Sequence, residues 1–273
     1  MSKGKAKVNY LGRAGVVMPQ TVPSWDFIYE TSTIKSEKYD VGDRVVLPDG
    51  REFIYAKSSA ACISGQGCEF TAIGAVGTSY PAATVAKGGK EVILADSGST
   101  TVLTHVAAFA KDVFRGGYVI FHDAAAGNAD AQFRGIIGND VSAINAVLTI
   151  YLDGKLHKAV IGTTFTEVFD NPYAALRTGT SADLPKAGVP AVEVSAANMY
   201  FWVQKAGLIW VAPQANLGNA GGLAGGFWHD VGNVTDGKTA LTATIPNAKS
   251  CQYAGHTVAG SIGGIGPLFM LQG

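Results

Sequence analysis

Charged residues are scarce in this sequence. Only 15% of the 273 residues are Asp, Glu, Lys or Arg, and 21 basic residues balance 21 acidic ones. A chain without net charge produces no long-range field that attracts nucleic acid or an anionic membrane, so neither is predicted as a partner. Hydrophobic residues make up 47%, and 35 residues are glycine. This composition favours a protein whose surface is partly covered inside an assembly.

Cysteine and long apolar runs are also scarce. The three cysteines, Cys62, Cys68 and Cys251, are an odd number, and the basic residues 1–13 lack the apolar core of a signal peptide. We therefore expect no secretion and reduced thiols, with a Cys62–Cys68 disulfide as the alternative. The weakly polar tail 257–271 is broken by four glycines and a proline, so no transmembrane helix is expected.

No convincing catalytic motif is present. The stretch Gly232–Thr239, GNVTDGKT, matches the letters of a phosphate-binding loop, but the following ALTATIP alternates like a strand and ends in Pro246. A phosphate loop needs a helix at that point, so we interpret Asp236-Gly237 as a hairpin turn and predict no bound nucleotide. An NTPase remains the enzyme alternative.

The histidines and tryptophans do not predict a catalytic, metal-binding or sugar-binding site either. His122-Asp123 and His229-Asp230 have no second histidine at ligand spacing, and turn polarity explains them. The tryptophans in strand-like runs are predicted to be core or subunit interface, and sugar stacking by Trp202 or Trp228 is the alternative. We therefore predict no enzyme and no catalytic, cofactor-binding or metal-binding residue.

Residues Val41–Lys57, VGDRVVLPDGREFIYAK, predict a β-hairpin. Two β-branched or aromatic runs flank Pro48-Asp49-Gly50, which has the preset φ, the carboxylate and the glycine of a tight turn. A two-stranded ribbon is marginal in water and needs a surface to lie on. A loose basic arm precedes the hairpin and an Ala/Gly-rich connector follows it, so we expect that surface to belong to another subunit.

The rest of the chain predicts a mainly β protein with little helix. We expect an arm, hairpin and wrapping connector over 1–90, a β-rich domain over 91–180 and a C-terminal domain over 181–273, with sandwich-like or barrel-like antiparallel folds in the last two. Trp25–Ile34 reads as a strand, and MYFWVQ and LIWVAP read as two strands with Gly207 between them. Thr101–Arg115 has helical spacing, although Val102–Ala107 fits a strand followed by a turn equally well.

Several segments together resemble structural proteins of tailed bacteriophages. They are YDVGDRVVLPDGREFIYAKSS, GGYVIFHDAAAGNADAQFRGIIGN, LTIYLDGKL with DNPYAAL, and GVPAVEVSAANMYFWVQKAG, in the same order between Tyr39 and Gly207. The loop holding Cys62 and Cys68 and the tail from Asn216 have no counterpart in this resemblance.

The resemblance implies a decoration or cement protein. Such a protein would be made in the host bacterial cytoplasm and sit on the virion, on the capsid exterior, where it bridges subunits of the major capsid protein, often as a homotrimer. A tail or head-fibre component is the rival within the same particle. A carbohydrate-binding module on the virion is the alternative from another class.

Overall fold

A computed structural model describes most of the chain. The described residues are 8–10, 13–15, 23–71, 77–95, 108–122, 131–144, 146–180, 184–212, 225–228, 234–236, 252–259 and 268–272. The fold is mainly β, as predicted, and built from antiparallel strands. By contacts the chain divides into unit 1, Met1–Glu69 with Leu176–Gly273, and unit 2, Phe70–Ala175. The hairpin segment thus groups with the C-terminal strands, and the boundaries differ from the predicted 1–90, 91–180 and 181–273.

The two parts of unit 1 contribute one helical turn and most of the strands. These elements are β1 Val8–Tyr10, β2 Arg13–Gly15, α1 Trp25–Ile28, β3 Arg44–Val46, β4 Glu52–Lys57, β5 Cys68–Phe70, and, after unit 2, β12 Leu176–Thr178, β13 Lys186–Pro190, β14 Tyr200–Trp210, β15 Gly225–Trp228, β16 Val234–Asp236, β17 Tyr253–Ala259 and β18 Leu268–Leu271. β1 and β2 pair with each other, and the main sheet runs in the order β12-β5-β13-β14-β18-β17-β15-β16.

The predicted hairpin is confirmed as β3 and β4. The Leu47 N–H donates to the Arg51 carbonyl across the turn at 2.8 Å, and Gly50 adopts a φ of 85°. This backbone conformation is strained for residues other than glycine. The Arg51 N–H also donates to Asp49 Oδ1 at 3.1 Å, so the carboxylate holds the turn as expected.

The expected support from another subunit is wrong, because the hairpin lies on its own chain. β4 pairs with β14 from Lys57 opposite Tyr200 to Glu52 opposite Ala206. One face of the hairpin then closes a core cluster around Trp202, which is fully buried. The buried members of this aromatic cluster are Ile28, Tyr39, Val45, Leu47, Phe53, Tyr55 and Trp202.

Residues 58–90 are predicted to wrap around a partner, but the first part of this segment, 58–71, binds the same chain. The N–H groups of Ser58, Ser59 and Cys62 donate to the carbonyls of Met199, Leu176 and Val194 at 2.7–2.8 Å. The Ala/Gly/Ser composition that suggested a loose connector instead permits close approach to these strands.

Unit 2 is a single curled sheet. Its strands are β6 Gly77–Ser79, β7 Glu91–Leu94, β8 Tyr118–His122, β9 Gln132–Asn139, β10 Leu148–Leu152 and β11 Phe165–Phe169. They run in the order β6-β11-β8-β9-β10-β7, and a bridge between Pro81 and Leu94 brings the two ends of the sheet together. The inward alternate residues form the core, for example Val92, Val119 and Ile150, each 0% exposed. A 3-10 turn, Pro172–Ala174, ends the unit.

Four local predictions need correction. Trp25–Ile34 is not a strand: Ser24 Oγ accepts from the Phe27 N–H at 3.3 Å and caps the short helix α1. Thr101–Arg115 is not a helix over its described part, since residues 111–116 form turns; 101–107 lie outside the described residues. The two strands predicted around Gly207 are one, β14, and the predicted glycine-rich tail contains β18.

Candidate functional site

The residues of the predicted hairpin motif mostly have structural roles. Gly42, with a φ of 96°, and Gly50 provide turns, and Leu47, Phe53 and Tyr55 are buried in the aromatic cluster. The backbone Ser36 N–H donates to the Tyr55 hydroxyl at 3.1 Å. Burial raises the pKa of Tyr55. These positions therefore anchor the hairpin, and Arg51 at its tip is a motif residue with contacts of another kind.

At that tip, Arg51 is surrounded by aromatic side chains. Its guanidinium lies 4.8 Å from the centroid of the Trp25 ring and donates to the Tyr29 hydroxyl at 2.7 Å. Trp25 and Tyr29 are carried by α1 and its C-terminal cap, and they remain 51% and 43% exposed. We call Trp25, Tyr29 and Arg51 the hairpin patch. Trp, Tyr and Arg are the residue types that most often dominate binding energy at protein interfaces.

The charge of the hairpin patch is internally compensated. Arg51 Nε donates to Asp49 Oδ2 at 2.7 Å. Burial lowers the pKa of Arg51, but hydrogen bonds with Asp49 and Tyr29 outweigh this effect and raise the pKa above its ordinary value. The backbone N–H of Arg51, with its side chain, lowers the pKa of Asp49. Hydrogen bonds to Asp49 and Tyr29 therefore hold the guanidinium in place over the Trp25 ring, where it offers a planar surface more than a free charge.

A cleft opens beside the same helix. Its volume is about 460 Å³, and its lining residues are Pro23, Ser24, Phe27, Ser36, Glu37, Lys38 and Tyr39. Phe27 stacks on Tyr39 with ring centroids 5.5 Å apart, so the floor of the cleft belongs to the aromatic cluster. The hairpin patch and this cleft thus rest on one rigid core.

Unit 2 carries a separate exposed apolar area. Tyr118 of β8 and Phe133 of β9 stack with centroids 5.1 Å apart, although they are 39% and 56% exposed. In the connection after β9, Val141 is 69% and Ile144 55% exposed. Outward apolar side chains in these numbers match the composition argument for surface that is covered in an assembly.

A buried ion pair lies inside unit 1. Glu69 of β5 and Lys186 of β13 are fully or almost fully buried, and Lys186 Nζ lies 2.9 Å from Glu69 Oε2. Arg177 Nε donates to Glu69 Oε1 at 2.9 Å, and the Thr180 N–H and hydroxyl donate to the same carboxylate at 2.9 and 2.8 Å. Burial would raise the pKa of Glu69, but these hydrogen bonds lower it to about 2. The cluster ties β5, β12 and β13 together.

The candidate residues of the sequence have mixed outcomes. Trp202 and Trp228 are 0% and 4% exposed, which confirms the core prediction for both and removes them as sugar platforms. His122 Nε2 lies 2.7 Å from Glu167 Oε2, while Asp123 lies outside the described residues. Of the apparent phosphate loop, Val234–Asp236 form strand β16 antiparallel to β15. An extended strand cannot curl its N–H groups around phosphate.

Of the other candidate residues, some are described by the structure and some are not. Cys62 and Cys68 are buried and free, whereas Cys251 and the pair His229-Asp230 lie outside the described residues. Sequence reasoning missed the hairpin patch and the Glu69 cluster. The one available signal for the cluster was a lysine, Lys186, followed at once by the apolar run AGVPAV.

No family model, curated protein or solved structure matches this chain. Within the described part, no group of three or more His, Cys, Asp or Glu side chains is placed to hold a metal ion. The same residues include no helix that is long and apolar enough to cross a membrane. The candidate site is therefore defined by its own chemistry, as an exposed aromatic surface at the hairpin tip.

Proposed function

We propose that this chain is a decoration protein on the head of a tailed bacteriophage, where it binds the outside of the shell and bridges subunits of the major capsid protein. The sequence segments that resemble phage structural proteins support this proposal. The mainly β fold and the exposed apolar side chains of both units are compatible with it. The observation that carries it is the hairpin patch, because Arg51, which belongs to one of the resembling segments, is packed there against Trp25 and Tyr29, two aromatic side chains that remain exposed.

The hairpin patch suits a contact with a folded protein surface. Trp25 and Tyr29 have few rotatable bonds, and Arg51 is already fixed by Asp49 and Tyr29, so little side-chain entropy is lost when a partner covers them. Because Asp49 compensates Arg51, the partner surface needs apolar and hydrogen-bonding groups and no excess of acid. We propose that the major capsid protein provides this surface.

A cement protein works by multiplying modest contacts. Each copy adds buried area across a seam between capsid subunits, and a homotrimer would present three hairpin patches at once. The gain in shell stability then comes from avidity, so a single patch needs only moderate affinity. We propose the homotrimer together with this mechanism.

Co-sedimentation with purified heads of the encoding phage, stripped of this protein, tests the proposal. We expect wild-type protein to pellet with the heads and to saturate at a fixed ratio. Tyr29→Ala and Trp25→Ala should each weaken binding roughly 30-fold, the effect of about 2 kcal/mol at an interface hot spot. Tyr253→Ala is the matched control, because Tyr253 is also 43% exposed in unit 1.

The outcomes separate the parts of the proposal. Protein that ignores heads but binds purified tails would refute a capsid location and favour the tail component. Protein that binds heads equally well with Trp25→Ala and Tyr29→Ala would refute the role of the hairpin patch. Light scattering of the purified chain then decides whether the homotrimer exists before it meets a capsid.

A further inference from the structure

The loop between the two described cysteines is closed by its neighbours. The carbonyls of Ala61 and Gly67 accept hydrogen bonds from Thr178 and Gly179, both at 3.0 Å. These two donors are consecutive residues, whose Cα atoms lie only about 3.8 Å apart. The two ends of the loop are therefore brought side by side, although five residues separate Cys62 from Cys68.

Two tryptophan rings fix the path of this loop. A Cβ on Gly65 would lie 2.0 Å from Cζ3 of Trp210, and one on Gly67 would lie 2.7 Å from Cζ3 of Trp228. The Gly65 carbonyl also accepts from the Ala212 N–H at 2.7 Å. Glycine is required at both positions because the rings occupy the space of any side chain, and the loop cannot shift away from the closed path while both rings stay in place.

The closed loop presents the cysteines to each other. Both side chains are 0% exposed and neither is in a disulfide. The Cys62 thiol donates to the Ala60 carbonyl at 3.8 Å. After burial, the neighbouring Cys62 is the next cause of the raised pKa of Cys68, so the two side chains lie close to each other. Cys62 lies in a bridge with Val194, and Cys68 pairs with Gly188 of β13, so the backbone on both sides is anchored.

We propose that Cys62 and Cys68 form a thiol–disulfide site that closes to an intrachain disulfide when the chain meets a small disulfide oxidant such as oxidised glutathione. One thiolate attacks the glutathione disulfide, which forms a mixed disulfide and releases one glutathione. The second cysteine then attacks the protein sulfur of the mixed disulfide and releases the other glutathione. Two cysteine protons and two electrons leave the protein, and one glutathione disulfide becomes two thiols.

The two buried thiols should react more slowly than a redox-sensing cysteine. Burial raises the pKa of the Cys68 thiol well above its usual value, so few thiolates form at neutral pH. Exchange therefore needs local opening of the loop and is slow in the folded chain. Oxidation during folding is faster, because the loop is then accessible. This inference does not depend on the proposed function.

Thiol counting tests the proposal directly. One sample of the purified chain is incubated with oxidised glutathione, and a second sample is produced in bacteria with an oxidising cytoplasm. Both samples are denatured and alkylated with N-ethylmaleimide, and their masses are measured by mass spectrometry. The reduced chain should take up three alkyl groups, one for each cysteine. The oxidised chain should take up one. The tryptic peptide 58–87, which holds both cysteines, should carry no alkyl group and be two hydrogens lighter.

Three variants assign the bond. Cys251→Ser should still lose both of its remaining thiols on oxidation. Cys62→Ser and Cys68→Ser should each form no intrachain disulfide, so that their two remaining cysteines stay as thiols or carry glutathione. Retention of three alkylatable thiols in both samples would overturn the proposal. A disulfide that includes Cys251 in place of Cys62 or Cys68 would overturn it as well.

Discussion

Replacing Glu69 by Gln removes a buried carboxylate that pairs with Lys186. Lys186 Nζ is 2.9 Å from Glu69 Oε2, and the two side chains are 2% and 0% exposed. In Glu69→Gln the amide keeps the shape of the side chain but not its charge. The Lys186 ammonium then stays buried and loses the charge of Glu69, while Arg177 and the hydroxyl of Thr180 lose a charged acceptor.

The size of the effect follows from the pKa of Glu69. It is about 2 in the folded chain, against an ordinary value of 4.5. The difference of about 2.5 corresponds to about 3 kcal/mol of preference for the charged carboxylate. Breaking a buried pair by removing one partner costs about 3–5 kcal/mol, so the two arguments agree. We expect Glu69→Gln to lower the free energy of unfolding of unit 1 by about 3 kcal/mol.

Tryptophan fluorescence during urea unfolding measures this loss specifically. All four tryptophans, at positions 25, 202, 210 and 228, belong to unit 1, and Phe70–Ala175 contains none. The fluorescence transition therefore reports unit 1 even when the two units unfold separately. Urea is preferred because guanidinium salt would screen the charges under test.

Glu52→Gln is the matched control. Glu52 pairs with Arg44 at 2.6 Å, but the Arg44 side chain is 61% exposed, so the same chemical change should cost less than about 1 kcal/mol. Adding Lys186→Met to Glu69→Gln should recover part of the loss, because no buried cation then remains. Equal losses in Glu69→Gln and Glu52→Gln would refute the reasoning.

Two further predictions concern unit 1. Because the folded pKa of Glu69 lies below its ordinary value, the contribution of Glu69 to stability is fully present above about pH 4.5 and is lost as the pH falls toward 2. The urea midpoint of the wild-type chain should therefore fall more between about pH 4.5 and 2 than the urea midpoint of Glu69→Gln. Gly188→Ala should cost about 2–4 kcal/mol, since its Cβ would lie 2.3 Å from the Gln204 carbonyl oxygen, whereas Gly50→Ala, with open space around it, should cost only about 1 kcal/mol of backbone strain. A Gly188→Ala midpoint no lower than that of Gly50→Ala would contradict the close packing of β13 and β14.

Local signals in the sequence predicted local structure well. The Pro48-Asp49-Gly50 turn depends on neighbouring residues, and the structure agrees with it. Trp25–Ile34 alternates like a strand, but Ser24 caps a helical turn there because α1 can bury Ile28 against the hairpin. The tertiary contact overrides the strand pattern.

Contacts between distant residues could not be predicted. β4 pairs with β14, and the whole of unit 2 lies between these two strands in the sequence. No pattern in Val41–Lys57 predicts β14 as the partner. Gly207 was interpreted as a break between strands, but it permits a close approach: its Cβ would lie 2.8 Å from the Cα of Arg51. The hairpin patch escaped prediction for the same reason, because Trp25 and Arg51 meet only after α1 folds onto the hairpin.

The two ends of unit 2 lie against each other. Thr71 donates to the Ala175 carbonyl through its N–H at 3.3 Å and through its hydroxyl at 2.5 Å. A segment that leaves a chain and returns at one point can be exchanged without disturbing the register of the strands on either side. Unit 2 is thus one continuous segment inserted between the two parts of unit 1, and a gene could acquire it by one insertion, or lose it by one deletion, between the codons for Glu69 and Leu176.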